Sequence, residues 1–191
     1  NESGESGIKA PGWKRDILVT FSKDFINWTE PQWLIYHRDD GRPGTNLEHL
    51  YTNEVKPYKR APHIYLGFPA QFNGSVDPML MASRDGLHFY RWMEHPVIPK
   101  SAPADRQKIR SNHLWQEMVE LPEEPDKLSM YASENLGING PHEDGSFPRV
   151  RRFTIRKDGF VSVRAETEHG ELVTKPLIFT GNKLTVNYNA Q

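Results

Sequence analysis

The 191-residue chain reads as an all-β protein assembled from repeated hairpins. Aromatic residues make up 11% of it and prolines number 15, a composition that suits strands bounded by turns. No segment holds a 3.6-residue apolar period over three clean turns, so an amphipathic helix has no template here. One pattern also recurs. Ser22-Lys23-Asp24-Phe25-Ile26-Asn27-Trp28, Ser83-Arg84-Asp85-Gly86-Leu87-His88-Phe89 and, more loosely, Ile155-Arg156-Lys157-Asp158-Gly159-Phe160-Val161 each lead through a basic residue and an aspartate into an apolar strand.

The chain order supports each element. Residues 1–12 are rich in Gly, Ser and Glu and are expected to be flexible. Residues 16–21 form a near-continuous apolar run of the kind buried on both faces, and Thr29-Glu30-Pro31 separates it from an outer strand at 32–36. A polar loop comes next, over 37–46. Residues 64–68 read as an inner strand, Asn73-Gly74 as a turn and 77–82 as the apolar strand that enters the Ser83 hairpin. After a loop at 99–110, residues 113–121 fit a strand better than a short helix, and 128–134, 151–156 and 160–164 complete a four-stranded unit. The stretches 172–179 and 183–188, separated by Gly181-Asn182, read as two further strands. Asp24, Asp85 and Asp158 stand 61 and 73 residues apart, which suits four-stranded blades with loop insertions. An ordinary meander sandwich with Asp-Gly turns accounts for the same spacing.

Charge narrows the partners. The 24 basic and 25 acidic side chains leave a formal net charge of −1, so bulk attraction to nucleic acid or to an anionic membrane is not expected. No apolar run is long enough to cross a bilayer as a helix, and the first residues lack the charged and apolar regions of a signal peptide. The absence of cysteine excludes disulfide and thiolate chemistry.

The stretch Ser22-Lys23-Asp24-Phe25-Ile26-Asn27-Trp28-Thr29-Glu30-Pro31 resembles a hairpin that recurs in the five-bladed β-propellers of glycoside hydrolase families 32, 43 and 68. Four further segments are similar to a largely uncharacterised bacterial family-32-like group: Leu47-Glu48-His49-Leu50-Tyr51-Thr52, Arg60-Ala61-Pro62-His63-Ile64-Tyr65-Leu66-Gly67-Phe68-Pro69, the Ser83 hairpin, and Gly170-Glu171-Leu172-Val173-Thr174-Lys175-Pro176-Leu177. The resemblance implies a partial five-bladed propeller over 13–166, with 167–191 leading into a C-terminal β-sandwich. It also implies missing blades supplied by the same protein or another chain, a carbohydrate ligand, and a secreted or periplasmic setting. Its departures are as informative. Arg15-Asp16-Ile17 lacks the proline of the family's Arg-Asp-Pro motif, and no Glu-Cys motif exists.

Glycoside cleavage needs two carboxyl groups flanking a sugar. Glu48, beside His49 and Tyr51, is the first candidate acid, with an exposed turn glutamate or an Arg60 partner as the plain alternative. Asp77 is a candidate base or stabiliser, or a turn residue before Pro78. Glu134 closes a strand before a long loop, where functional side chains concentrate, or is simply a loop-end carboxylate. Glu117 is read as surface-facing. His49, Tyr51, Arg60, His63, Arg110, Asn112 and His113 are candidate substrate-binding groups, and Arg60 with Arg110 suits an acidic sugar. Structural ion pairs explain these arginines equally well. No phosphate loop, serine elbow or metal-ligand spacing appears, so no cofactor and no required metal are expected. A non-catalytic carbohydrate-binding propeller and a structural fragment of a larger enzyme are the alternatives to a hydrolase.

Overall fold

The computed structural model describes residues 15–38, 49–72, 76–92, 95–98, 112–115, 117–134, 149–165 and 169–188. Glu48, Arg110, the 1–12 segment, the Asn73-Gly74 turn and the 99–110 loop therefore lie outside the described residues. The chain falls into two units, 1–157 and 158–191.

Unit 1 is all-β, with no helix among the described residues and four sheets, none closed on itself. Strands β1 (Leu18–Val19) and β2 (Gln32–Trp33) pair antiparallel. Strands β3 (Ile35–Arg38), β5 (Lys56–Tyr58), β6 (Ala61–Gly67), β9 (Leu80–Ser83) and β10 (His88–Trp92) make the central sheet, in the order β3-β10-β9-β6-β5. A third sheet joins β4 (His49–Leu50), β7 (Ala70–Phe72) and β8 (Val76–Pro78). The fourth joins β11 (Asn112–Leu114), β12 (Lys127–Glu134) and β13 (Arg149–Arg156), and β11 lies against β7 and β8.

The core is the cluster of Ile17, Leu34, Tyr36, Leu50, Met81 and Phe89, with Val19, Val55 and Tyr65 packed on it. Burial of each large apolar side chain contributes about 1.5–3 kcal/mol. These residues come from the segment preceding β1, the end of the first hairpin, β3, β4, β9 and β10. One shared core thus ties three of the sheets together.

The Ser22 and Ser83 hairpins share one turn, atom for atom. Ser83 Oγ donates to Asp85 Oδ1 at 3.0 Å and accepts from the Gly86 amide at 2.9 Å. Asp85 Oδ1 accepts from the amides of Leu87 and His88 at 2.9 and 2.8 Å, and Oδ2 lies 2.8 Å from the His88 ring. Ser22 and Asp24 reproduce these contacts with Phe25, Ile26 and Asn27 at 2.8, 2.9 and 2.8 Å, and the Asn27 amide side chain takes the place of the His88 ring at 2.7 Å. Both turns require a left-handed residue after the aspartate. Gly86 (φ 79°) supplies it at no steric cost, whereas Phe25 (φ 60°) adopts it against its Cβ.

Several expectations change. The run at 16–21 is not buried on both faces, because Leu18 is 41% exposed and only Leu18–Val19 joins a ladder. The apolar stretch at 77–82 divides at Met79, whose amide turns to Pro69 O, so β8 and β9 belong to different sheets. The 113–121 strand shrinks to Asn112–Leu114 plus a single bridge from Val119 to Ser129, with Pro122 and a turn cutting it short. The third hairpin departs from the other two. It has no serine to accept amides, and the left-handed residue is Asp158 itself (φ 59°). The pairing of β10 with β3 is parallel, which local hairpins do not provide.

In unit 2 the expected strands at 160–164, 172–179 and 183–188 do not form among the described residues. The apolar side chains over 172–179 and 183–188 are exposed, Ile178 and Leu184 among them, while Phe160 is half-buried. Isolated extended segments have no sheet on which to bury alternate residues.

Hydrogen bonding holds the Asp24 carboxyl well below the ordinary aspartate range, mainly through the Asn27 and Ile26 amides and then the Asn27 side chain. For Asp85, burial is the largest influence and pushes upward, but the His88 and Leu87 amides, the His88 ring and Ser83 together outweigh it and bring the carboxyl down. Folded-state values below the unfolded ones mean stability that is complete at neutral pH and is lost as pH falls through about 4 and below. Asp85→Ala is expected to cost about 2 kcal/mol at pH 7 in urea melts through its lost amide bonds, and to flatten the acid limb of the stability profile. An unchanged midpoint would contradict this.

Candidate functional site

Arg15 begins the first described segment, and its carbonyl accepts from the Leu50 amide at 3.0 Å, setting that segment beside β4. Side chains of Arg15 and Asp16 then point to opposite sides, as in any extended segment. On one side the Arg15 guanidinium stands 4.6 Å over the Tyr51 ring, and the Arg15 amide donates to His49 Nδ1 at 3.1 Å. His49 is directly opposite Phe72 in the β4–β7 ladder. Phe72 meets His49 and Tyr51 edge to face at centroid distances of 6.4 and 5.8 Å. Phe72 is 38% exposed and Arg15 is exposed, so this is an aromatic surface patch with a cation at its rim.

On the other side Asp16 Oδ1 accepts from Tyr36 Oη at 2.7 Å and from the Ile17 amide at 2.7 Å. Burial first, then the Asp16 hydrogen bond, pushes the Tyr36 phenol far above its ordinary value, so it stays a donor. Arg91, 3% exposed, lies 4.9 Å over the Tyr36 ring and donates to Gln71 Oε1 at 3.0 Å. Gln71 pairs with Asp77 across β7 and β8, so these two share the face opposite the Phe72 cluster. A polar row therefore runs Asp16, Tyr36, Arg91, Gln71, Asp77 beneath the aromatic patch.

The β11–β13 sheet continues this polarity. Asn112 and Glu134 are directly opposite each other and both fully buried. Arg149, opposite Glu134 on β13, donates to Glu134 Oε2 at 2.6 Å, and Arg151 reaches the same oxygen at 3.3 Å. A carboxylate gripped by two guanidinium groups and closed to solvent is an ion pair that fixes strand register. His113 is half-buried on the alternate face, where burial pushes its imidazolium down and leaves the ring neutral at pH 7.

The sequence candidates thus separate. His49 and Tyr51 come together in the patch. Asp77, half-buried, joins the polar row, and Asn112 and Glu134 form the ion-pair neighbourhood, with Glu134 the last residue of β12 and fully buried. Arg60 sits exposed in the β5–β6 turn, close enough to Glu120 to lower that carboxyl, and His63 is exposed along β6. Glu117 is exposed and ion-paired with Lys56, in keeping with its surface reading. Asp16, Tyr36, Gln71, Phe72 and Arg91 are functional candidates missed in the sequence. The Arg15-Asp16 dipeptide was a usable signal, but the long-range partners of Arg91 and Gln71 had none.

What the fold and site define is an all-β protein of several open sheets, with an accessible aromatic and cationic patch above a polar row centred on the buried Tyr36 and Arg91. No family model, curated protein or solved structure matches the chain.

Glu134→Gln leaves Arg149 and Arg151 facing a neutral amide and is expected to destabilise the chain by about 3 kcal/mol. This is the lower end of the range for broken buried pairs because Arg149 reaches solvent. Thermal or urea unfolding reads the change, and a wild-type midpoint would rule out a structural role for the pair.

Proposed function

We propose that this protein recognises carbohydrate, in the manner of a propeller-type scaffold related to glycoside hydrolases, through the patch of Arg15, His49, Tyr51 and Phe72. The supporting observation is the patch itself. The exposed Phe72 ring, with the half-buried Tyr51 beside it, offers an apolar face on which a pyranose ring stacks, and Arg15 and the His49 ring supply hydrogen bonds to hydroxyls at its edge. Glu48, the residue before His49 in sequence, belongs to the same segment.

Binding is favoured over cleavage by burial. Arg91 is 3% exposed and Glu134 is 0% exposed, so a sugar does not reach their polar atoms from outside. A second reading, hydrolysis by paired carboxyl groups, draws on Asp16 and Asp77 being held in one polar row and on Glu134 standing in a sheet whose β11 strand adjoins β8. In that reading the alternate strands of a larger propeller open the row to substrate.

Calorimetry against short neutral and acidic oligosaccharides separates the two. Tyr51→Ala and Phe72→Ala are each expected to weaken binding about tenfold, the loss of roughly 1.4 kcal/mol of aromatic contact. No sugar is expected to be released, and wild-type affinity in both variants would refute the patch. Sugar release that disappears in Asp77→Asn and Asp16→Asn would instead establish hydrolysis.

A further inference from the structure

Phe25, Ile26 and Trp28 put an apolar surface at the tip of the first hairpin. They are 83%, 81% and 50% exposed, and apart from Phe25 and Ile26 no large apolar side chain among the described residues of unit 1 exceeds 53%. The Phe25 and Trp28 rings meet edge to face, 5.5 Å apart at 89°. Phe21, just before the turn, is exposed as well, and its ring borders Gly86 of the sister turn, where an added Cβ would stand 3.4 Å away.

The sister turn is an internal control. It makes the same serine and aspartate contacts with Gly86 in the left-handed position, so the turn geometry itself does not call for Phe25. The polar groups of the first turn are already engaged with one another. Ser22 Oγ accepts from the Asp24 and Phe25 amides at 3.3 and 2.8 Å, and Asp24 accepts from the Ile26 and Asn27 amides and from the Asn27 side chain. At the base, the Thr29 amide donates to Phe21 O and the Phe21 amide to Thr29 Oγ1, both at 2.9 Å. The amides of residues 24–27 therefore leave water without losing their partners, which is the condition for entering an apolar phase.

We propose that this tip inserts into the interfacial layer of a lipid bilayer, with Phe25 and Ile26 entering the acyl boundary and the Trp28 indole at the headgroup level, where amphipathic rings concentrate. The proposal is independent of the carbohydrate reading. Exposed apolar patches mark contacts with protein or membrane, and shape favours the membrane. A fluid phase conforms to a convex tip whose two rings stand at right angles, whereas a protein partner has to supply a pocket cut to it. The rings offer no flat platform to a polysaccharide. Charge plays little part, because Lys23 offsets Asp24 within the tip, and hydrogen bonds from the Asn27 and Ile26 amides hold the Asp24 carboxyl in its ionised form. Anionic lipid is therefore not required, in keeping with the near-zero net charge of the chain. Two or three inserted side chains give reversible partition and not permanent anchoring.

The test is partition of the full chain onto phosphatidylcholine vesicles, read by co-sedimentation and by quenching of tryptophan emission with brominated acyl chains. Wild type is expected to bind at about millimolar lipid, equally at low and high salt. Phe25→Gly and Ile26→Ser should each weaken partition about tenfold. Tyr51→Ala should bind vesicles as wild type does. Phe25→Gly should also melt no lower than wild type, because glycine takes the left-handed conformation without strain. Wild type that stays in the supernatant, or tip variants that bind undiminished, overturns the proposal. Self-association that disappears in Phe25→Gly, with no vesicle binding by wild type, assigns the tip to a second copy of the chain and equally overturns it. A lower melting temperature for Phe25→Gly makes the ring part of the fold and removes the premise.

Discussion

Gly67 sets a close approach in the core of unit 1. A Cβ at this position would stand 2.8 Å from Met81 Cε and 2.8 Å from Val55 Cγ2. Met81 is fully buried and lies directly across the β6–β9 ladder. The missing side chain lets Met81 and Val55 meet over the β6 backbone, which closes the core from one side. The same approach fixes the path of the neighbouring chain. The Phe68 amide donates to Asn53 O at 3.0 Å and the Ala70 amide to Thr52 O at 2.8 Å, so the chain leaving β6 runs beside the chain leaving β4. Those bonds place Tyr51 and Phe72 in one cluster.

Polar groups are used in two distinct ways around this core. At the hairpins, Asp24 and Asp85 gather amides that a tight turn would otherwise leave to solvent, and each aspartate thereby defines its turn. Inside, Arg91 and Glu134 are closed from solvent and held by Gln71 and by Arg149 with Arg151. A buried charge of this kind contributes little net stability but strongly disfavours any register that separates it from its partner. The β12–β13 ladder, with Glu134 opposite Arg149 and Ala132 opposite Arg151, is fixed in this way.

Legibility in the sequence depended on range. The Ser22 and Ser83 turns were legible because every group they need lies within a few residues, and the same holds for the β9–β10 hairpin. The strand at 128–134 was legible from composition. The parallel β3–β10 pair was not, because its partners are about fifty residues apart and no local pattern specifies them. Glu134 read as a catalytic candidate or a loop-end carboxylate, and not as an ion-pair residue, because its arginines stand beyond a long intervening stretch. His49 and Tyr51 were found from their crowding of ring and charge, but Phe72 completed the cluster only through the β4–β7 ladder. Strand-like composition at 172–179 and 183–188 misled, since alternation describes what a strand would bury and not whether a sheet is there to receive it.

The carbohydrate reading rests on the exposed Phe72 ring, with the half-buried Tyr51 and Arg15 beside it. Amide and side-chain chemical-shift mapping of the full chain during titration with a neutral oligosaccharide tests it most directly. The account predicts that the shift changes at one set of residues centre on Arg15, His49, Tyr51 and Phe72, with saturation as sugar is added. Unchanged resonances at those four residues, while others in the chain shift and saturate, would contradict it.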